Sequence, residues 1–141
     1  MYYLKTEQSF DSAHFLHGYS GKCANIHGHR WRIVVTIKSD KLLDDPQNNG
    51  MIIDFSDLKN NLKSMTYNLD HALIIEEGSL RSSLYQALIA ENFKIINLPF
   101  RPTAENLAKY IYEILAKTYD VECVDVYETP NNCASYNENN K

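Results

Sequence analysis

Residues His29 to Lys38 read HRWRIVVTIK. In an extended chain His29, Trp31, Ile33, Val35 and Ile37 share one face. Arg30, Arg32, Thr36 and Lys38 lie mainly on the other, with Val34 the exception. That alternation calls for a strand with one face against a core and the other in water. His27 stands two residues before His29, so both imidazoles project from the apolar face. Burying two imidazoles beside a hydrophobic row is costly unless their ring nitrogens find partners.

A shared zinc ion satisfies both rings at once, because it accepts a lone pair from each neutral imidazole. Gly28 between them would let the backbone bend toward the ion. His14, in FDSAHF just after the first extended segment, supplies a third ligand if the two strands pair. Three histidines leave one tetrahedral position of zinc open, the usual form of a catalytic site. His17 competes for the third place. The plain alternative is a set of surface or hydrogen-bonded histidines with no metal.

The bulk numbers set the frame. The 141 residues suit one domain, residues 1–141, with a real core. Apolar residues are 44% and charged residues 23%, as in an ordinary soluble globule. A net charge of -4 gives no electrostatic footprint for nucleic acid and no basic patch for a membrane surface. It leaves room for an anionic substrate, since a site needs only local positive charge. The opening MYYLKTEQSF lacks the basic start and apolar run of a signal peptide, and no stretch has the length of a membrane span. Cys23, Cys123 and Cys133 are an odd and sparse set, which favours a reducing, cytoplasmic setting over a disulfide scaffold.

Along the chain, Tyr2–Phe10 and His29–Lys38 read as strands, and Met51–Ile53 as a short third one. Asp54 or Ser56 can cap a helix whose apolar stripe is Phe55, Leu58, Leu62 and Met65. Residues 79–91 form a weaker helix and 93–98 a strand. Pro102-Thr103 opens a strong helix with Leu107, Ile111, Ile114 and Leu115 on one side. Val121–Tyr127 is the last good strand, Ala134–Tyr136 adds a short one, and the polar tail YNENNK is expected to fray. The order β-β-β-α-α-β-α-β-β implies an α+β fold with helices packed on one sheet face.

Four further residues carry possible chemistry. Cys23 can complete a structural zinc site, stand unligated near the metal as an acid/base group, or be an inert buried thiol. A nearby cation lowers a thiol from its ordinary value of about 8.5, which would provide a base near neutral pH. Asp70 and His71, in LDHALI, suit an orienter and a proton carrier, or equally a helix cap and a solvated charge. Glu128 ends the apolar face of Val124 and Val126. A carboxylate there can accept two parallel hydrogen bonds from a ring N–H and an exocyclic amine, the donor pair of guanine-like and pterin rings. A strand-end glutamate in water is its plain alternative.

Together these pieces resemble the 6-pyruvoyl-tetrahydropterin synthase family. The matching segments are FDSAHFL (10–16), KCANIHGH (22–29), GMIIDFSDLK (50–59), LDHALI (69–74), PTAENLAKYI (102–111) and VYET (126–129), in family order over nearly the whole chain. The resemblance implies His14, His27 and His29 as zinc ligands and Cys23 as proton acceptor. It implies Asp70 and His71 as relay partners, Glu128 as pterin anchor and relay member, and Thr103 as a residue beside the pterin pocket. The fold it implies is the tunnelling fold, an antiparallel sheet with helices on one side. Subunits of that fold commonly form homo-hexamers with sites at their interfaces.

Three residues separate Cys23 from the His-Gly-His, a short gap similar to that of the bacterial carboxy-tetrahydropterin branch of queuosine and deazapurine biosynthesis. The implied reaction takes 7,8-dihydroneopterin triphosphate to 6-carboxy-5,6,7,8-tetrahydropterin, with release of acetaldehyde and triphosphate. Lys22, Arg30 and Arg101 are the candidate triphosphate contacts by charge. A 6-pyruvoyl-tetrahydropterin synthase activity and a non-catalytic zinc-stabilised module are the alternatives. Residues 76–99 depart from the family pattern by adding a helix and a strand.

Overall fold

The computed structural model describes residues 1–138. The last three residues of the YNENNK tail lie outside that range, while its first, Tyr136, ends a strand and packs its ring on Tyr112. Six strands and three helices follow in the order β1 (Tyr2–His14), β2 (His27–Ser39), α1 (Phe55–Leu69), β3 (Ala72–Glu76), α2 (Ser82–Ala90), β4 (Ile95–Leu98), α3 (Ala104–Leu115), β5 (Val121–Thr129) and β6 (Asn132–Tyr136). The strands form one sheet in the order β4-β3-β1-β2-β5-β6. This is an α+β architecture.

The long antiparallel pair β1–β2 is the spine. Its thirteen-residue register runs from Tyr2 opposite Ser39 to His14 opposite His27. Phe10 therefore faces Trp31, and the two rings stack with centroids 6.1 Å apart. β5 adds antiparallel to β2, and β6 to β5. On the other side β3 joins β1 in parallel, and β4 joins β3 in parallel. The sheet is thus mixed, with four antiparallel strands and a parallel pair added at one side. A parallel step needs a crossover, and α2 supplies the one between β3 and β4.

Two strand expectations change. Met51–Ile53 is no strand. The loop closes on itself through Leu43 N–H to Met51 O (2.8 Å) and Gly50 N–H to Leu43 O (2.9 Å), while Ile52 and Ile53 pack against the core. Ala72–Glu76 is a strand that the sequence reading passed over, because a five-residue apolar run carries no decisive period.

The core lies on the Trp31 face of the sheet. Trp31, Ile33, Val35, Val124 and Val126 are fully buried there beneath Leu58 and Leu62 of α1 and Leu107, Ala108 and Ile111 of α3. Asp54 caps α1 by accepting from the Ser56 N–H at 2.8 Å, and Thr103 caps α3 by accepting from the Asn106 N–H at 3.2 Å. Phe55 departs from the expected stripe: at the first helical position it points outward and is 64% exposed. α2 buries none of its residues. Among the described residues no helix is long and apolar enough to cross a membrane.

β5 contains a bulge. Thr36 pairs with Cys123 but Ile37 pairs with Val121, so β5 carries one extra residue at Glu122. Val121 and Val124 are consequently both buried although their numbers differ in parity.

Truncation of a core contact should separate cleanly from truncation of an exposed one. Leu62→Ala is expected to lower stability by about 2–5 kcal/mol, read as a fall in the urea midpoint. Phe55→Ala should stay within about 0.5 kcal/mol of the parent.

Candidate metal centre and adjoining cleft

The end of the β1–β2 spine carries the three histidines. His14 stands opposite His27, and His29 opposite Ser12, so antiparallel pairing alone brings all three imidazoles to one end of the core face. Ring centroids are 4.6 Å apart for His14–His27, 4.8 Å for His27–His29 and 5.1 Å for His14–His29. Trp31 floors the cluster edge-on, with its ring 4.9 Å from His14 and 5.3 Å from His29. Its indole N–H donates to Ser12 O at 3.2 Å, which fixes that floor to β1. Gly28 keeps regular pairing with Ala13, and a Cβ there would meet Ser12 O at an ordinary 3.8 Å. The expected backbone bend at this glycine is therefore absent.

The ring tautomers follow from the neighbours. His14 Nδ1 lies 2.8 Å from Pro102 O, and His27 Nδ1 lies 2.6 Å from Asn25 O. A carbonyl oxygen only accepts, so each Nδ1 carries the proton and donates. The lone pair is left on Nε2. The Nε2 atoms of His14, His27 and His29 are all buried with no hydrogen-bond partner. Three unpaired buried ring nitrogens at one point, two of them acceptors, would be costly in an ordinary core.

Glu128 closes the group. Continuing the β2–β5 register by one residue sets it level with Trp31, on the core face. Its Oε1 is 3.2 Å from His14 Nε2 and 3.3 Å from His29 Nε2, yet neither contact is a hydrogen bond. At His14 a lone pair faces a carboxylate lone pair, a mismatch that a cation relieves. The four ligand atoms lie within 4.8 Å of one another, a spacing that suits one metal ion. A donor set of three imidazoles and a carboxylate matches zinc or a similar divalent metal. His17 is outside this group and exposed, and its carbonyl accepts from Arg101 at 2.7 Å.

Burial holds both His14 and His29 below the ordinary imidazole value of 6.5, with Glu128 opposing the shift. Both rings are thereby kept neutral, as metal ligation requires.

Cys23 lies in a single 3₁₀ turn, Lys22–Ala24, tied back by the Leu16 N–H to Cys23 O bond of 2.9 Å. It is not among the clustered ligand atoms. It instead lines a cleft of about 360 Å³ together with Arg101, Thr103, Glu128 and Cys133. Of the three cations named as triphosphate candidates, Arg101 alone borders this cleft. Arg30 is paired with Asp11 at 2.9 Å, and Lys22 is exposed.

Asp70 and His71 form a built pair. Asp70 Oδ1 accepts from the Asp11 N–H at 2.9 Å, and Asp70 Oδ2 lies 2.8 Å from His71 Nδ1. The Asp11 N–H, with help from His71, holds the Asp70 carboxyl below its usual range. His71 adopts a positive φ of 53° and its side chain is 79% exposed. It opens onto a different cavity, about 720 Å³, with His29, Arg30 and Lys94. One chain therefore brings Cys23, Glu128 and Thr103 together but not Cys23 and His71. Sequence reasoning missed Trp31 as the floor and the Pro102 and Asn25 carbonyls as tautomer-setting partners. Backbone acceptors leave no side-chain signal to find.

Comparison with known proteins identifies the family. The family model for 6-pyruvoyl tetrahydropterin synthase matches residues 3–139. The chain belongs to that family of enzymes. Among its relatives, the 6-carboxy-5,6,7,8-tetrahydropterin synthase of Haemophilus influenzae is 37% identical, covering 98% of this chain and 100% of that protein. The protein of the same name from Synechocystis is 32% identical, covering 96% and 93%. In fold, an uncharacterised protein from Wolinella succinogenes superposes with a TM-score of 0.84 at 21% identity, covering 97% of this chain and 98% of that one. The 6-pyruvoyl tetrahydropterin synthase of Caenorhabditis elegans gives a TM-score of 0.67 at 24% identity, covering 96% and 94%. The fold is the tunnelling fold of this family.

The depressed histidines set a pH dependence for the metal-free protein. The unfolded chain binds protons near 6.5, before the folded rings do. Stability is therefore full above that value and is lost as pH falls through it toward the lower native values. Urea midpoints of chelator-treated protein should drop on that descent, and His14→Asn should flatten the slope.

Proposed function

We propose that this chain is a zinc-dependent carbon–carbon lyase. It converts 7,8-dihydroneopterin triphosphate and water to 6-carboxy-5,6,7,8-tetrahydropterin, acetaldehyde and triphosphate, in the route to queuosine and other deazapurines. The observation that carries the reading is the convergence of three unpartnered Nε2 atoms beside a cleft that holds a separate thiol. The names of the relatives support it.

His14, His27 and His29 would hold the metal. Bound zinc supplies Lewis acidity toward the oxygens of the substrate side chain. Cys23, as thiolate, takes the proton from the adjacent side-chain carbon. Glu128 receives the N–H pair of the pterin ring and so fixes the reacting side chain, and Thr103 borders the same pocket. Its carboxylate must leave the histidine cluster to do this. Arg101 offers positive charge to the triphosphate at the cleft rim.

His71, oriented by Asp70, returns and relays protons. Because His71 opens away from Cys23, we assign the relay to a neighbouring copy in a homo-hexamer with sites at the subunit interfaces. The whole chain acts as one catalytic unit, in the cytoplasm.

Acetaldehyde release from 7,8-dihydroneopterin triphosphate tests the reaction. Stoichiometric acetaldehyde is expected, whereas triphosphate loss without it would indicate 6-pyruvoyl-tetrahydropterin synthesis. Cys23→Ala should abolish turnover and retain the metal, measured by elemental analysis. Loss of metal in that variant would make the thiol a ligand. Mixing Cys23→Ala with His71→Ala, each inactive alone, should restore part of the activity if the relay crosses between copies, and none if it does not.

A further inference from the structure

We propose that Asn106 is a positioning residue for the metal centre, acting through the Pro102 carbonyl on His14. The inference rests on the metal reading above. It concerns how the chain forces one ligand into the tautomer that ligates.

His14 Nδ1 donates to Pro102 O at 2.8 Å, and both residues are buried. The direction of that carbonyl is set by ψ of Pro102, since the ring already fixes φ. Two bonds hold ψ. The Thr103 N–H donates to Arg101 O at 2.8 Å, closing a three-residue turn about Pro102. The Asn106 side-chain amide donates to the same oxygen at 3.0 Å.

Asn106 can do this because the start of α3 is itself fixed. Thr103 Oγ1 accepts from the Asn106 N–H at 3.2 Å, and the Leu107 N–H donates to Thr103 O at 3.0 Å. The path is continuous: helix cap, Asn106 amide, Arg101 carbonyl, Pro102 carbonyl, His14 ring. The Arg101 guanidinium adds a tie to His17 O at 2.7 Å, three residues beyond His14. A backbone acceptor on the far nitrogen of a ligating imidazole fixes its tautomer and raises its basicity. Weakening the clasp on Arg101 O lets Pro102 rotate about ψ and frees the His14 ring to take the other tautomer.

A purely structural role for Asn106 makes a different prediction. It would affect the helix start and leave the ligand alone. Asn106→Asp separates the two. It keeps the shape, removes the amide donor to Arg101 O, and places a negative charge in the first helical turn, where the helix favours it. Zinc affinity of Asn106→Asp, measured by competition with a chromogenic chelator, is expected to fall about 10-fold or more. The visible bands of the cobalt-substituted protein should shift. The ring-nitrogen NMR signals of metal-free protein should show His14 leaving the Nδ1–H form, while the metal-free melting temperature stays at the parent value. Asn106→Gln, which keeps an amide donor on a longer arm, should recover part of the affinity.

Parent zinc affinity and an unchanged cobalt spectrum in Asn106→Asp would overturn the proposal. So would an affinity loss that comes with a lowered metal-free melting temperature and no recovery in Asn106→Gln. A parent protein that binds no zinc would instead overturn the metal reading itself, which distinguishes the two failures.

Discussion

The pairing of β1 with β2 in one register is the constraint on which the rest depends. His14 and His27 are opposite partners, and Phe10 and Trp31 are too. The same alignment that buries the aromatic pair also gathers the imidazoles. A slip of one residue would send every side chain of one strand to the other face. It would expose Trp31 and scatter the ligands together, so core stability and site geometry are protected by a single alignment.

The site was legible in the sequence where it depends on period. His27 and His29 share a face with Trp31 because residues two apart on a strand must, and Glu128 shares one with Val124 and Val126 for the same reason. The helix caps at Asp54 and Thr103 were likewise readable, since each side chain acts on backbone groups two or three residues away. What escaped depends on partners distant in sequence. β3 is short and apolar and becomes a strand only because β1 and β4 flank it. The outward placement of His71 follows from its positive φ after α1 ends, which no local pattern announced.

The division between the two cavities gives the molecule its functional logic. The thiol and the Glu128 carboxylate line one cleft, and the histidine cluster lies between it and the other cavity, reaching the first through Glu128 and the second through His29. The Asp70–His71 pair is equally ordered, with the carboxylate held by the Asp11 amide, yet it faces elsewhere. Such care in orienting a solvent-exposed imidazole makes sense if it meets its target across a boundary between copies.

The extra residue at Glu122 acts as a phase shifter in β5. Val121 and the run from Val124 onward differ in the parity of their numbers, yet both face the core opposite Ile37 and Val35. Losing that one residue would restore a uniform beat along the strand. Val121 and the run ending in Glu128 would keep facing the core, since the bulge already absorbs the extra residue; what would go is the local kink it puts into β5 six residues before the carboxylate.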